Sequence, residues 1–383
     1  MSAAPVSPAA IRVDLGAIFV SLELSKSTWL LTSLSPGSEK MSRHTVSGGD
    51  LPALLTCLEG LRDKAQAREA VRYPVIVIQE AGLDGFWIHR ALASEIGVTS
   101  HVVDAASIAV SRRHRRAKTD RIDGETLVRT LMAWIRGEPR VCSMLRIPTV
   151  EEEDRRRIGR ERTALVKERT LHTNRIKGLL FSVGVRGYEP NRRDRRRCLE
   201  ELRTGSGQPL PVHLKAMLVR ELDRLELLIE QIKRVEAERD SLPATTASSA
   251  PQAMLATIKG IGPEFASVLA GEGLFRHFDN RRQIAAYAGL APSPWCSGSI
   301  DREQGVAKAG NPRLRTAMVQ AAWLWLRFQP NSALTRWFQE RVSRACGRGK
   351  KIAIVALARK LLVAFWKFAT GGVVIEGAIV AKA

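Results

Sequence analysis

The 383-residue chain predicts a mixed α/β N-terminal part, a long charged helical stretch and a mainly helical C-terminal part. Three observations carry this prediction. Short apolar and β-branched runs recur before residue 104, separated by helical patterns. Charged segments of helical period fill 151–180 and 211–240. Beyond 252, Gly-rich turns alternate with helical runs. The length exceeds what one ordinary core supports, so two or three domains are expected.

Residues 1–10 are rich in Ala, Pro and Ser and are expected to be disordered. Two apolar runs, 18–22 and 29–34, flank Ser25-Lys26-Ser27 and read as a hairpin, with 44–47 as a third strand. Helical spacing occupies 51–61. The run Pro74-Val75-Ile76-Val77-Ile78 is continuous and β-branched, as a strand buried on both faces requires. A helix over 85–95, a strand over 100–103, a helix after Asp104 and a helix over 121–135 complete this part. The order of strands and helices resembles the RNase H-like fold, a mixed five-stranded sheet flanked by helices. The domains expected are 11–145, a helical region over 146–240, a linker over 241–251 and a C-terminal domain over 252–383.

In 211–240, Leu218, Leu222, Leu225, Ile229 and Ile232 alternate four and three apart, a coiled-coil seam. In 151–180 the period is kept by Ile158, Leu165 and Leu179 and broken by His172. The two segments suit an antiparallel helical pair or a dimerising arm. The linker 241–251 is flexible by composition. Helices are expected on either side of a Gly-rich turn in 254–274, and over 313–327 and 350–368.

Lys and Arg number 60 against 39 Asp and Glu, a formal net charge of +21, which favours polyanion binding through counterion release. Aromatic residues make up 5% of the chain, which argues against base stacking as the main source of affinity. The five cysteines are dispersed without a C-x-x-C pair, the pattern of reduced thiols in a cytoplasmic protein. No signal peptide is legible at the N-terminus. The apolar run 352–365 is interrupted by Arg359 and Lys360 and is too short for a bilayer, so no membrane role is expected.

Four acids fall where strands end or a helix begins: Glu23, Glu80, Asp120 and Asp123. Carboxylates converging from such places can hold Mg²⁺, a hard cation that takes oxygen ligands. Singly, each acid has an ordinary role in capping, dipole compensation or solvation. Asp14, Asp84 and Asp104 are neighbouring decoys. The basic run Arg112-Arg113-His114-Arg115-Arg116-Ala117-Lys118 lies beside Asp120, as a phosphodiester substrate would require, and Arg115, Arg116 and Lys118 are candidate phosphate contacts. Further on, Lys259-Gly260-Ile261-Gly262-Pro263 resembles a helix-hairpin-helix turn, with Lys259, Gly260 and Gly262 as candidate backbone contacts. The segment around Ser297-Gly298 precedes Lys308-Ala309-Gly310-Asn311-Pro312-Arg313-Leu314-Arg315. Activated by metal or base, a serine there can attack phosphorus, with Lys308, Asn311, Arg313 and Arg315 supplying charge and hydrogen bonds. Chemistry alone leaves Ser293 and Ser299 as equivalent hydroxyls.

Glu80, Lys118-Thr119-Asp120-Arg121-Ile122-Asp123, Lys259-Gly260-Ile261-Gly262-Pro263, Ala286-Tyr287-Ala288-Gly289-Leu290-Ala291-Pro292, Ser297-Gly298 and the Lys308–Arg315 segment, in this order, resemble the DEDD transposases of insertion-sequence-110 type. The resemblance implies a RuvC-like N-terminal domain whose acids bind Mg²⁺, a coiled-coil insertion for oligomerisation, and a C-terminal serine, Ser297, that forms a phosphoserine link to DNA. It further implies an active site shared between protomers, a dimer assembling to a tetramer on DNA, and a structured bridge RNA that pairs with donor and target DNA. The location implied is cytoplasmic, at the nucleoid. One position departs from the pattern: the first acid, ordinarily Asp, is Glu23. The alternatives are a metal-dependent junction resolvase-like nuclease and an inactive nucleic-acid-binding relative.

Overall fold

A computed structural model describes residues 16–38, 40–82, 85–108, 120–139, 141–241, 250–297, 300–307, 309–343 and 349–380. The chain divides into two compact units, Met1–Ile147 and Pro148–Ala383. Each has its own apolar cores.

The first unit is built on a five-stranded mixed sheet in the order β3-β2-β1-β4-β5. Strands β1 (Ile18–Leu24), β2 (Thr28–Leu34) and β3 (Ser42–Ser47) form an antiparallel meander. Strands β4 (Val75–Glu80) and β5 (Val98–Val103) continue the sheet in parallel with β1. Alternation assigns the faces. Ile18, Val20 and Leu22 of β1 and Val75 and Val77 of β4 pack with Leu54, Leu58 and Leu61 of α1 (Leu51–Glu69) and Ile88 and Leu92 of α2 (Trp87–Ala93). Phe19 and Ile78 point the other way, to Leu127, Val128 and Leu131 of α3 (Asp120–Ile135). Helix α1 runs past its expected end at 61 because Arg62 and Ala65 are buried as well. Where a helix is expected after Asp104, the described residues hold a 3₁₀ turn, Ala105–Ser107, and 109–119 lie outside them.

The second unit begins with a helical hairpin of α4 (Val150–Phe181) and α6 (Val212–Ser241), joined through the short α5 (Arg195–Glu201). The pair is antiparallel: Arg162 reaches Glu236 at 2.7 Å, while His172 reaches Glu221 at 2.6 Å. Leu218, Leu222 and Leu225 are fully buried, as the seam predicts. On α4 the buried face is Thr173, Ile176 and Leu180, one position on from the expected Ile158–Leu165–Leu179 row. Glu221 is buried on α6, and His172, Arg175 and Arg224 turn toward its carboxylate.

The remaining elements form a helical bundle with one hairpin: α7 (Ala250–Ala256), α8 (Pro263–Leu269) continued by a π turn (Ala270–Leu274), α9 (Arg281–Tyr287), β6 (Pro292–Ser297), β7 (Ile300–Val306), α10 (Pro312–Phe328), α11 (Ala333–Ser343) and α12 (Gly349–Gly371). Its core joins Leu314, Met318 and Trp325 of α10 to Leu357, Leu361 and Phe365 of α12. At either side of the expected linker, α6 extends to Ser241 and α7 starts at Ala250. Helix α11 has no counterpart among the sequence expectations. Among the described residues, no helix is long and apolar enough to cross a membrane.

Candidate active-site residues

In the first unit, Glu23 lies within β1 and Glu80 is the last residue of β4, rather than after these strands. The strands are parallel, with Leu22 opposite Gln79, so Glu23 and Glu80 fall at adjacent register positions. Alternation puts both on the face that α3 covers. That helix comes unusually close to the sheet. Ser21 Oγ donates to Gly124 O at 2.9 Å, and a Cβ added at Gly124 would lie 2.5 Å from Thr32 Oγ1 and 3.2 Å from Glu23 Oε1. Only glycine allows this approach. It holds the first turn of α3, with Asp123, against the strand that carries Glu23. Asp120 opens α3; its side chain lies outside the described residues, as do Arg115, Arg116 and Lys118.

Among the described residues, no group of three or more His, Cys, Asp or Glu side chains converges as a metal site would require. The donor chemistry nonetheless suits Mg²⁺: carboxylate oxygens only, drawn from two parallel strand ends and the start of the helix packed over them. Glu23 Oε1 is shielded from solvent beneath Gly124, on the face that α3 covers.

In the second unit, Ser297 closes β6, and its partner across the hairpin is Ile300, so it stands at the turn. Its side chain lies outside the described residues, as do Gly298, Ser299 and Lys308. The motif residues meet at the hairpin's base. Ala307 N donates to Ala291 O at 2.8 Å, and Asn311 N donates to Tyr287 O at 2.7 Å. Gly310 has φ +118°, and a Cβ there would sit 2.4 Å from Tyr287 O. Arg315 Nη1 lies against Gly289. Asn311 caps α10, its Oδ1 accepting from Arg313 N and Leu314 N at 3.0 and 3.1 Å.

Glu272 organises this base, and sequence reading missed it. It is 4% exposed. Asn311 Nδ2 donates to it at 3.0 Å, Arg160 Nε at 3.2 Å and Arg313 Nε lies at 3.3 Å, with Arg156 at 3.9 Å. Burial alone would raise its pKa. The hydrogen bonds from Asn311 and Arg160 outweigh that and hold the carboxyl below the usual range. Arg313 also donates to Gly159 O and Thr163 Oγ1 of α4 at 2.9 and 3.1 Å. Asn311 and Arg313, expected at phosphate, thus have partners inside the protein that tie the hairpin's base to α4. The one sequence signal was the acid's setting between Gly271 and Gly273.

The Gly-rich turn is also engaged internally. Gly260 backs onto Phe328, Lys259 O accepts from Gln329 Nε2 at 2.8 Å, and Ile261 N donates to Ile258 O. The Lys259 side chain is exposed, and Gly262 caps the short α8.

Comparison with known proteins is specific. Residues 252–337, spanning the Gly-rich turn, Ser297 and the Asn311 cap, match the family model described as "Transposase IS116/IS110/IS902 family". The chain is 67% identical over 386 aligned positions to y4rJ of Sinorhizobium fredii, provisionally named a transposase, covering 98% of this chain and 97% of that one. It is 30% identical over 268 positions to the transposase of insertion sequence element IS1111A from Coxiella burnetii, covering 66% of this chain and 67% of that one. It is 29% identical over 235 positions to the transposase of IS1328 from Yersinia enterocolitica, covering 59% and 66%. The chain belongs to the IS116/IS110/IS902 family of transposases.

Proposed function

We propose that this transposase cuts and rejoins DNA through a phosphoserine intermediate formed by Ser297, with Glu23, Glu80, Asp120 and Asp123 as Mg²⁺ ligands in an RNase H-like, RuvC-like domain. The observation that carries the reading is the anchored hairpin: the family-matched motifs converge on its base, and Ser297 stands at its turn. A nucleophile on a rigidly based hairpin can be held in line with a scissile bond. Ser297 Oγ bonds to phosphorus as the bridging P–O bond breaks. The hydroxyl proton passes to a base, and the departing oxygen gains one. The reverse attack by a new DNA end restores the phosphodiester and frees the serine, so bond energy is conserved. Mg²⁺, when bound, would neutralise charge on the phosphate oxygens.

Glu23 differs from Asp by one methylene, and the Gly124 approach offers room for the longer arm at the α3 face. The reading extends to an active site shared between protomers of a dimer that forms a tetramer on DNA. It also includes a bridge RNA that selects donor and target, and work at the cytoplasmic nucleoid. The +21 charge supports contact with polyanions.

The test is to trap the covalent intermediate on a labelled junction DNA with its RNA and Mg²⁺. Parent protein, Ser293→Ala and Ser299→Ala give a protein–DNA adduct; Ser297→Ala gives none. Asp123→Asn loses the adduct and keeps RNA binding. An adduct from Ser297→Ala removes the serine assignment, whereas cleavage with free ends and no adduct favours a nuclease.

A further inference from the structure

At the far end of the helical hairpin, α4 stops at Phe181, a residue 62% exposed. The Arg186 guanidinium lies 5.2 Å from the ring centroid. Beside them opens a cleft of about 260 Å³, floored by Leu180, Val185 and Tyr188, with Lys177 and Glu189, an ion pair at 2.7 Å, at its rim. The floor belongs to the hairpin's own core and is 1–8% exposed. Gly205 N donates to Val183 O at 2.9 Å and Tyr188 Oη to Arg195 O at 2.8 Å, so the walls are held before any ligand arrives. Tyr188 is pushed up to about 12, chiefly by burial, and therefore adds no negative charge.

An exposed aromatic ring beside an exposed guanidinium, over a preformed apolar floor, is the recognition chemistry of a nucleotide. The ring stacks the base, and Arg186 takes the phosphate. A protein-docking face would need a wider apolar patch than one ring between Lys177 and Arg186. The exposed, basic Arg186 and Arg193 give the tip the complementary charge. A base within a duplex has both faces covered, so the ligand is unpaired. We propose that the Phe181–Arg186 cleft binds an unpaired nucleotide of a nucleic-acid strand. This rests on the nucleic-acid role proposed above and adds a stacking site that the low overall aromatic content concealed.

The experiment titrates the full chain against labelled single-stranded pyrimidine DNA, the same sequence as RNA, and the matching duplex. Phe181→Ala weakens single-strand binding roughly 5- to 150-fold while duplex binding changes by less than about twofold. Phe181→Tyr keeps parental affinity, and Arg186→Gln lowers the salt slope by about 1. A 5-iodouracil strand crosslinks to Phe181. Tighter binding of DNA or of RNA identifies the source, and either supports the site. Unchanged single-strand affinity in Phe181→Ala with crosslinks elsewhere overturns it. So does a variant whose one defect is a smaller oligomer by sedimentation, which would assign the ring to a protein contact. Loss of the adduct in Ser297→Ala is a separate readout, so this site can fail while the recombinase reading stands.

Discussion

Glu272 shows how much one side chain can carry. Three arginines and an asparagine from two helices converge on a carboxylate that water scarcely reaches. Removing the shared carboxylate leaves the mostly buried Arg156 without its counter-charge, while Arg160 turns to solvent and Arg313 keeps its bonds to α4, so Glu272→Ala should cost about 3 kcal/mol in urea unfolding. The pH dependence has a definite sign. A carboxyl held below its usual range in the folded state stabilises at pH above the unfolded value, near about 4.3. That stabilisation is lost as pH falls through the folded value. Glu272→Gln should therefore be less stable than the parent near neutrality, and the two unfolding curves should converge as the pH falls below the usual carboxylate range. Parallel curves across the acid range would show that the carboxylate is not the stabilising group. Gly124 and Gly310 act by what they lack: a Cβ at either would strike a neighbouring atom at 2.4–2.5 Å.

Helix α4 is set at its start by a capping box. Thr149 Oγ1 accepts from Glu152 N at 3.1 Å, and Glu152 Oε2 accepts from Thr149 N at 3.0 Å. Arg156 and Arg160 follow within three turns and depend on that start for their aim at Glu272. Thr149→Ala should cost about 1 kcal/mol, visible as a lower denaturation midpoint at unchanged slope. A change in slope would point instead to altered compactness. Periodicity made the α6 seam readable, since apolar side chains repeat where helices touch. The α4 face was harder to read, since part of its contact with α6 is ionic and charges carry no hydrophobic period; Leu179 of the expected row packs on the core, beside the fully buried Ile176 and Leu180. The β6–β7 hairpin was hidden for a related reason: Pro292, Pro294 and Gly298 obscure any alternation.

The division at Ile147–Pro148 coincides with a break in the cores: among the described residues, each apolar cluster lies wholly within one unit. A sheet covered on both faces by its own helices has what an independent domain needs. Residues 16–147 expressed alone should give one cooperative thermal transition with α/β circular dichroism. A fragment that stays unfolded would show that the sheet relies on the second unit.

Much of this protein was written in local patterns. Apolar and β-branched runs announced the five strands, and the acids stood out because they follow those runs or open a helical pattern. The motifs after residue 252 identified the family, since the Gly and Asn positions there answer to tight backbone geometry. Other features arose from segments far apart in the chain. The approach of Gly124 to Glu23 depends on how α3 lies over β1. The partners of Glu272 come from residues more than a hundred positions away on α4 and about forty away on α10. Conformation at one residue is a local energy and leaves a mark on composition. The company of a buried charge is set by which helices pack together, and a one-dimensional pattern does not contain that.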